Sequence, residues 1–368
     1  MAVELNFEQL FRPLAAPLRQ PSVIPLPTLY YFLCYAWNRL PEPAVLAASE
    51  AAPFHRPLGL LAQVLLHGTR RLLRAGLPRT FTAHTAELAQ LRGRVELAPT
   101  LGRGLLARGR AMCAFEELSA DSPWLHLLAH TLAALAGAAE LPAALRRELR
   151  HLRQRLPAAL PGAALAPPTA ATFRELRRQR PEAQAAFLLH VCELVWQCAL
   201  PAPAAGGRGR FVDFRRDEGL MARLFEQFTR NFFRREQRCY RVYAETITWQ
   251  AEAHQPTDLA LLPTMLTDTT LEAPDRKIIL DTKYYAAALR PRYDRPRLIA
   301  PHLYQLYAYL QNQRPAPGQA LEGILLYPAA TQAVDLRYTL GGHPVRVVTL
   351  DLHQPWPGIA ADLLRLVE

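Results

Sequence analysis

Apolar positions follow two different rhythms along the chain, and the change between them falls near residue 206. Before it, the spacing is helical. Residues 23–40, "VIPLPTLYYFLCYAWNRL", read as a short extended entry followed by an aromatic helix. Residues 54–75 have the pattern of a second helix, with Leu58, Leu61, Leu65 and Leu72 on one side. Residues 79–115 break into shorter, turn-rich pieces, of which "RGRVEL" suits a strand. Helical spacing returns at 123–136 and at 141–156, where Leu145, Leu149, Leu152 and Leu156 recur at i, i+4, i+7 and i+11. Arg146, Arg147, Arg150 and Arg153 fill the polar side of that last helix. A charged helix face is ordinarily just solvated, so no site is assigned to it.

Two linker-like stretches, "PAALPGAALAPPTAAT" (157–172) and "PAPAAGGRGR" (201–210), bracket one predicted helix that ends near Cys198. Beyond them the rhythm changes. Residues 217–238 make a helix with Leu220, Leu224, Phe228 and Phe232 as its apolar stripe and Arg223, Arg230 and Arg234 opposite. Strand-like runs follow at 242–249, 264–271, 277–284, 321–327 and 345–351. A helix over 301–313 interrupts them, with Leu303, Leu306, Tyr307 and Leu310 on one side. The expectation is a mainly α N-terminal domain, 1–205, carrying a small β-rich insertion, and an α/β C-terminal domain, 206–368, whose mixed central sheet is flanked by helices.

Composition narrows the function. Half of the 368 residues are apolar, enough for two real cores. The net charge of +11 favours an acidic partner, nucleic acid first. Five cysteines, an odd count without a C-x-x-C pair, fit a reducing compartment rather than a disulfide frame or a zinc site. The eleven histidines are read as offering no metal spacing. No secretory signal or membrane span is expected, so the reading is a cytoplasmic protein with no membrane partner.

Charge usage then singles out one stretch. Of 43 basic residues only Lys277 and Lys283 are lysines, and both lie in "KIILDTKYY", 277–285. Asp281 and Lys283 are two apart on a predicted strand and leave the same face. Upstream, "APDR" is a turn sequence, and Lys277 beside it is read as an ordinary turn-flanking charge. A symmetric reversal between Pro274 and Asp275 sets Asp268 opposite Asp281, with Cβ atoms about 4.5–5.5 Å apart. Two carboxylates that close repel unless a cation lies between them, and oxygen ligands select a hard ion such as Mg²⁺. Lys283, a compact cation that can give up its proton as Arg cannot, suits the orientation of an attacking water in phosphodiester hydrolysis.

"D-x12-D-x-K" on a β-hairpin resembles the core of PD-(D/E)XK nucleases, here without the leading Pro and with Asp in the middle acidic place. Together with "TDTTL", "LYQLYAYL", "GILLYP", "IPLPTLYYFLCYAW" and "GRVEL", it makes the chain, from about Val23 onward, resemble the McrC family, nuclease subunits of McrBC 5-methylcytosine-specific restriction systems. The resemblance implies a restriction-endonuclease-like C-terminal domain with its catalytic, metal-holding centre on Asp268, Asp281 and Lys283. It implies double-stranded DNA carrying modified cytosine as substrate. It also implies a GTP-hydrolysing McrB-like AAA+ hexamer as partner, docked by the N-terminal domain. The chain has no G-x-x-x-x-G-K-[ST], so nucleotide binding of the P-loop kind belongs to another chain.

Gln305, in "LYQLYAYL", and Glu226, in "LFEQF", are the possible accessory residues; Glu226 is expected to be solvated. Asp258 lies too far upstream to mirror Asp281, and Tyr284 and Tyr285 are read as sheet packing. The rival readings are a non-catalytic adaptor that stimulates a partner GTPase and binds DNA, and a nuclease of the same fold in another defence system.

Overall fold

The structure, a computed structural model, describes residues 24–51, 56–77, 80–119, 122–156, 167–198, 211–285, 289–292, 295–329 and 333–368. It divides into two compact units, Leu29–Asp217 and Glu218–Glu368, the second also taking in residues up to Thr28. The boundary expected near 206 lies outside the described residues. So do the first twenty-three residues and most of the first linker-like stretch.

The first unit is helical with one small sheet. Its helices are α1 (Leu26–Ala36), α2 (Pro43–Ala51), α3 (Pro57–Ala75), α4 (Leu97–Gly102), α5 (Pro123–Gly137), α6 (Ala143–Gln154), α7 (Ala170–Arg178) and α8 (Ala183–Gln197). The leucines that define the stripes of α3 and α6 are all buried. The close approach of α3 to α8 needs Gly68, where an added Cβ would lie 2.5 Å from a Leu188 methyl carbon. Where one helix was expected before Cys198 there are two, because Arg180, at φ 47°, ends α7 and turns the chain. In the 79–115 region, "RGRVEL" contributes only the two-residue β2 (Arg94–Val95). The longer strands are β1 (Thr80–Leu88) and β3 (Ala111–Ser119), paired antiparallel along their full length. His126 and His130 do stand four apart on α5, a pairing the sequence reading overlooked. His130 is buried and packs on Trp196 at 4.8 Å between ring centres.

The second unit is a three-layer α/β arrangement. It contains α9 (Glu218–Glu236), β4 (Arg241–Tyr243), β5 (Thr246–Ile247), β6 (Met265–Leu266), β7 (Thr269–Glu272), β8 (Arg276–Thr282), β9 (Leu289–Arg292), β10 (Arg295–Leu298), α10 (Ala300–Gln311), β11 (Ala320–Pro328), β12 (Asp335–Leu340), β13 (His343–Leu350) and α11 (Trp356–Arg365). Six strands form a mixed sheet in the order β12-β13-β11-β8-β7-β4. β8 lies at its centre, parallel to β11 and antiparallel to β7. A strand covered on both faces must be apolar throughout, which is why "KIIL" shows no alternation. On one face, α9 and α11 meet through Trp356 against Phe228 and Phe232, each at 6.0 Å. On the other, Leu306, Tyr309 and Leu310 of α10 pack with Ile279, Leu321, Leu325 and Val347. Gly323 lets α10 settle on β11, since a Cβ there would already touch Leu306 and Leu310 at 3.0 Å. The strand β12 and the helix α11 have no counterpart among the sequence expectations. Among the described residues no helix is long and apolar enough to cross a membrane.

Candidate active site

The hairpin β7–β8 has the register that a reversal between Pro274 and Asp275 dictates: Glu272 faces Lys277, Thr270 faces Ile279 and Thr269 faces Leu280. The ladder ends at that last pair, and Asp268 and Asp281 are the next residues along the two chains. Their environments differ sharply. The Asp268 carboxylate Oδ2 accepts from the Thr282 backbone N–H at 2.8 Å and the Thr282 hydroxyl at 2.7 Å. Asp281 is fully buried, and among the described residues neither of its oxygens accepts a hydrogen bond of normal geometry. Its one close partner is Lys283, whose Nζ lies 2.6 Å from Oδ2 as an ion pair. Burial first, and then the Asp268 charge, push the Asp281 carboxyl up to about 7, against the pull of Lys283.

Lys283 is held from the far side. Its Nζ donates to Gln305 Oε1 at 2.8 Å. Gln305 Nε2 donates to the Tyr309 hydroxyl at 2.7 Å, and that hydroxyl donates to the Leu266 carbonyl at 2.8 Å. A helix places residues four apart on one side, so Gln305 and Tyr309 of α10 brace Lys283 together. The same chain of bonds ends two residues before Asp268. The sequence reading placed Gln305 here but missed Tyr309; the i, i+4 spacing was the available signal.

Glu226 is not the freely solvated residue expected. Its side chain is 34 % exposed and accepts from Arg230 at 3.0 Å. Arg230 also donates to the Asp268 carbonyl at 2.6 Å, which ties α9 to the carboxylate strand. Burial, followed by the Asp268 charge, raises the Glu226 carboxyl above its usual range. The remaining candidates are packing groups or lie outside this cluster. Tyr284 meets Phe225 edge-on at 5.9 Å, and Tyr285 lies against His302 at 4.7 Å. Asp258 is exposed on a short 3₁₀ turn, Pro256–Leu261. Lys277, expected to be an ordinary charge beside the turn, is instead buried, at 2.8 Å from both Glu245 Oε1 and Gln313 Oε1.

Among the described residues no three acidic, His or Cys side chains form a ready cage for a metal. Mg²⁺ does not need one: it commonly takes one or two carboxylates and completes its shell with water and substrate phosphate. A buried carboxylate whose one close partner among the described residues is a lysine, beside a second carboxylate, fits that donor set. The arrangement is therefore chemically equipped to hold a hard cation beside a fixed lysine.

Residues 28–328 match the family profile described as "McrBC 5-methylcytosine restriction system component". The chain is 32 % identical over 351 residues to an Escherichia coli K12 protein, "Type IV methyl-directed restriction enzyme EcoKMcrBC", covering 95 % of this chain and 99 % of that one. Its fold is similar to a solved Thermococcus gammatolerans assembly described as McrB AAA+ hexamers with bound McrC. The TM-score is 0.55 at 14 % identity, over 93 % of this chain and 76 % of that one. Sequence and fold together place the chain in the McrBC 5-methylcytosine restriction system component family.

Proposed function

We propose that this chain is the Mg²⁺-dependent DNA endonuclease subunit of a modification-dependent restriction complex. In this reading the second unit is a PD-(D/E)XK-type nuclease, and the first docks on a GTP-hydrolysing AAA+ hexamer whose GTPase it stimulates. The complex works in the cytoplasm on double-stranded DNA carrying modified cytosine. The observation that supports it best is the buried Asp281, paired with Lys283 at 2.6 Å, with Asp268 and Asp281 the next residues beyond the β7–β8 ladder.

Asp281 and Asp268 are the residues that would hold the ion. A divalent cation there supplies Lewis-acid polarisation of a phosphate oxygen and of a water. The protein's own groups do the rest. Lys283 Nζ orients the attacking water and offsets the charge that grows on the phosphoryl oxygens. Gln305 and Tyr309 fix that ammonium in one place, so little reorganisation is left for the reaction itself. Glu226, kept closer to its neutral form by burial, lies beside Asp268 as an accessory acid.

The test is cleavage of methylated duplex DNA by Asp281→Ala and Lys283→Ala proteins mixed with the partner and GTP. Both should lose cleavage and retain stimulation of the partner's GTPase. EDTA should likewise abolish nicking, and added Mg²⁺ should restore it. Cleavage at the wild-type rate by either variant sinks the site assignment, and the chain is then an adaptor.

A further inference from the structure

A second concentration of charge lies in the first unit, and none of the interactions above uses it. Between α3 and α6 runs an open cleft of about 490 Å³. Arg70 lines it from α3, and Arg147, Glu148, His151 and Arg155 line it from α6 and the residue just after it, with the buried Leu152 among them. Arg147, His151 and Arg155 recur every four residues, so they share one side of that helix at steps of about 6 Å. The one acidic group of the cleft is already engaged: Arg70 Nη2 donates to Glu148 Oε2 at 2.7 Å. Arg147 and Arg155 are exposed, and among the described residues neither has an ion-pair partner.

The sequence alone gives the arginine face of α6 to solvent, and a helix C-terminus favours cations on its own account. That explains Arg155 singly. Arg147 sits near the other end of α6, where the helix dipole offers a cation nothing. Nor does a solvated face explain a concave site with a cation on each wall, three arginines against one spent glutamate. The same field reaches His67, three residues before Arg70 on α3. Burial first, and then the Arg70 charge, lower its pKa against the opposing pull of Glu42 and Glu148. A cleft lined by one sign of charge concentrates the field on whatever counter-ion enters it. Guanidinium groups match phosphate oxygens two bonds at a time. A row of cations about 6 Å apart suits an anion with repeating charges better than a single compact one.

We propose that the α3–α6 cleft is a second DNA-binding site, which holds the phosphate backbone through Arg147 and Arg155. Arg70 neutralises Glu148 and so keeps the cleft open to an anion. This goes beyond the endonuclease reading, which gives the first unit only to the AAA+ partner; the choice of DNA as the anion rests on that reading. Phosphate contacts set position and register, and base contacts set sequence preference. Each neutralised phosphate releases counterions, and the logarithm of affinity then falls with the logarithm of salt by about 0.9 per phosphate on duplex DNA.

The full chain is titrated against fluorescein-labelled, unmethylated duplex DNA by anisotropy, in EDTA, across about 50 to about 200 mM salt. Arg147→Gln with Arg155→Gln is expected to make the salt slope shallower by at least about 0.9, one phosphate's worth. Both side chains are exposed, so this protein should fold as the wild type does. Arg147→Lys with Arg155→Lys should preserve the slope. The comparison protein carries Arg108→Gln with Arg174→Gln, exposed arginines of the same unit outside the cleft. It loses the same charge and should keep the wild-type slope. A smaller change in the cleft variant overturns the proposal. So does an equal loss in the comparison protein, which would make the effect one of overall charge, or in the lysine protein, which would implicate packing. Absence of DNA binding by the wild-type chain at about 50 mM salt overturns it too. If the cleft variant keeps its DNA slope but no longer co-elutes with the AAA+ partner, the cleft is a protein-docking site instead. The slope is read without cleavage, so its outcome is separate from that of Asp281→Ala.

Discussion

Lys277 and Lys283 leave the same face of one strand, and each meets a carboxylate and a glutamine, yet the two ends of the strand are built to opposite purposes. At the first end the circle closes. Lys277 donates to Glu245 and to Gln313, and Gln313 Nε2 donates back to Glu245 at 3.0 Å. At the second end it stays open. Gln305 gives its amide N–H to Tyr309, and among the described residues Asp281 has only the Lys283 charge as a close partner while Asp268 pushes against it. The lesson is that a buried Lys–carboxylate–Gln set does not by itself indicate chemistry. A set whose acceptors are all used is a strut, held together by the cost of leaving any member unpaired. A set that leaves buried acceptors over is poised for something else to bind.

That contrast can be broken at either end. The largest effect is expected from Lys283→Ala: initial cleavage rates should fall by about 10² to 10³-fold, as when one oriented donor is lost from a charge-stabilising site. The change also leaves the buried Asp281 without its ion-pair partner, so the rate is read per folded molecule, and a wild-type rate per folded molecule would put Lys283 among the struts. Next comes Lys277→Met, which leaves the half-buried Glu245 without its ion-pair partner. Urea unfolding should show a loss of about 3 kcal/mol. Adding Glu245→Leu should restore most of it, since replacing a whole buried pair by apolar groups is often neutral. Cleavage per folded molecule should stay at the wild-type level in both proteins. Tyr309→Phe sharpens the open end. Loss of one hydrogen bond, about 1 kcal/mol, should lower kcat about fivefold and leave KM unchanged. A change in KM alone would assign Tyr309 to DNA binding.

The smallest effect concerns the turn end. Arg241 and Tyr243 hold the Glu272 carboxyl below its usual value. A carboxyl whose pKa is lower in the folded state stabilises the fold above its unfolded pKa and loses that contribution as pH falls through the folded one. Thermal midpoints of wild type and Glu272→Gln should therefore differ slightly at neutral pH and converge below about pH 4. The pair is largely exposed, so salt should shrink the difference.

The open end was more legible in advance than the closed one. A turn sequence was enough to set the β7–β8 register, because register in a short hairpin is a local property. Gln305 came forward as a possible accessory residue through the family resemblance, with a helix-surface glutamine as the equal alternative. Lys277 looked like an ordinary turn charge because both its partners are remote: Glu245 is 32 residues away and Gln313 is 36. The histidine spacing on α5 was in plain view and overlooked, and the structure resolves it as packing.

What the sequence determined unaided was local and periodic: the stripes of α3, α6 and α9, the β7–β8 turn and its register, and the charge balance that favours a polyanion. These depend on neighbours within a few residues, where backbone geometry leaves few choices. Only the tertiary structure decided which lysine was a strut and which was left open. That difference rests on whether distant side chains return to satisfy a buried carboxylate, and no local pattern records it. Burial then sets the outcome, because inside the sheet an unused acceptor is costly and, when a cation arrives, correspondingly strong.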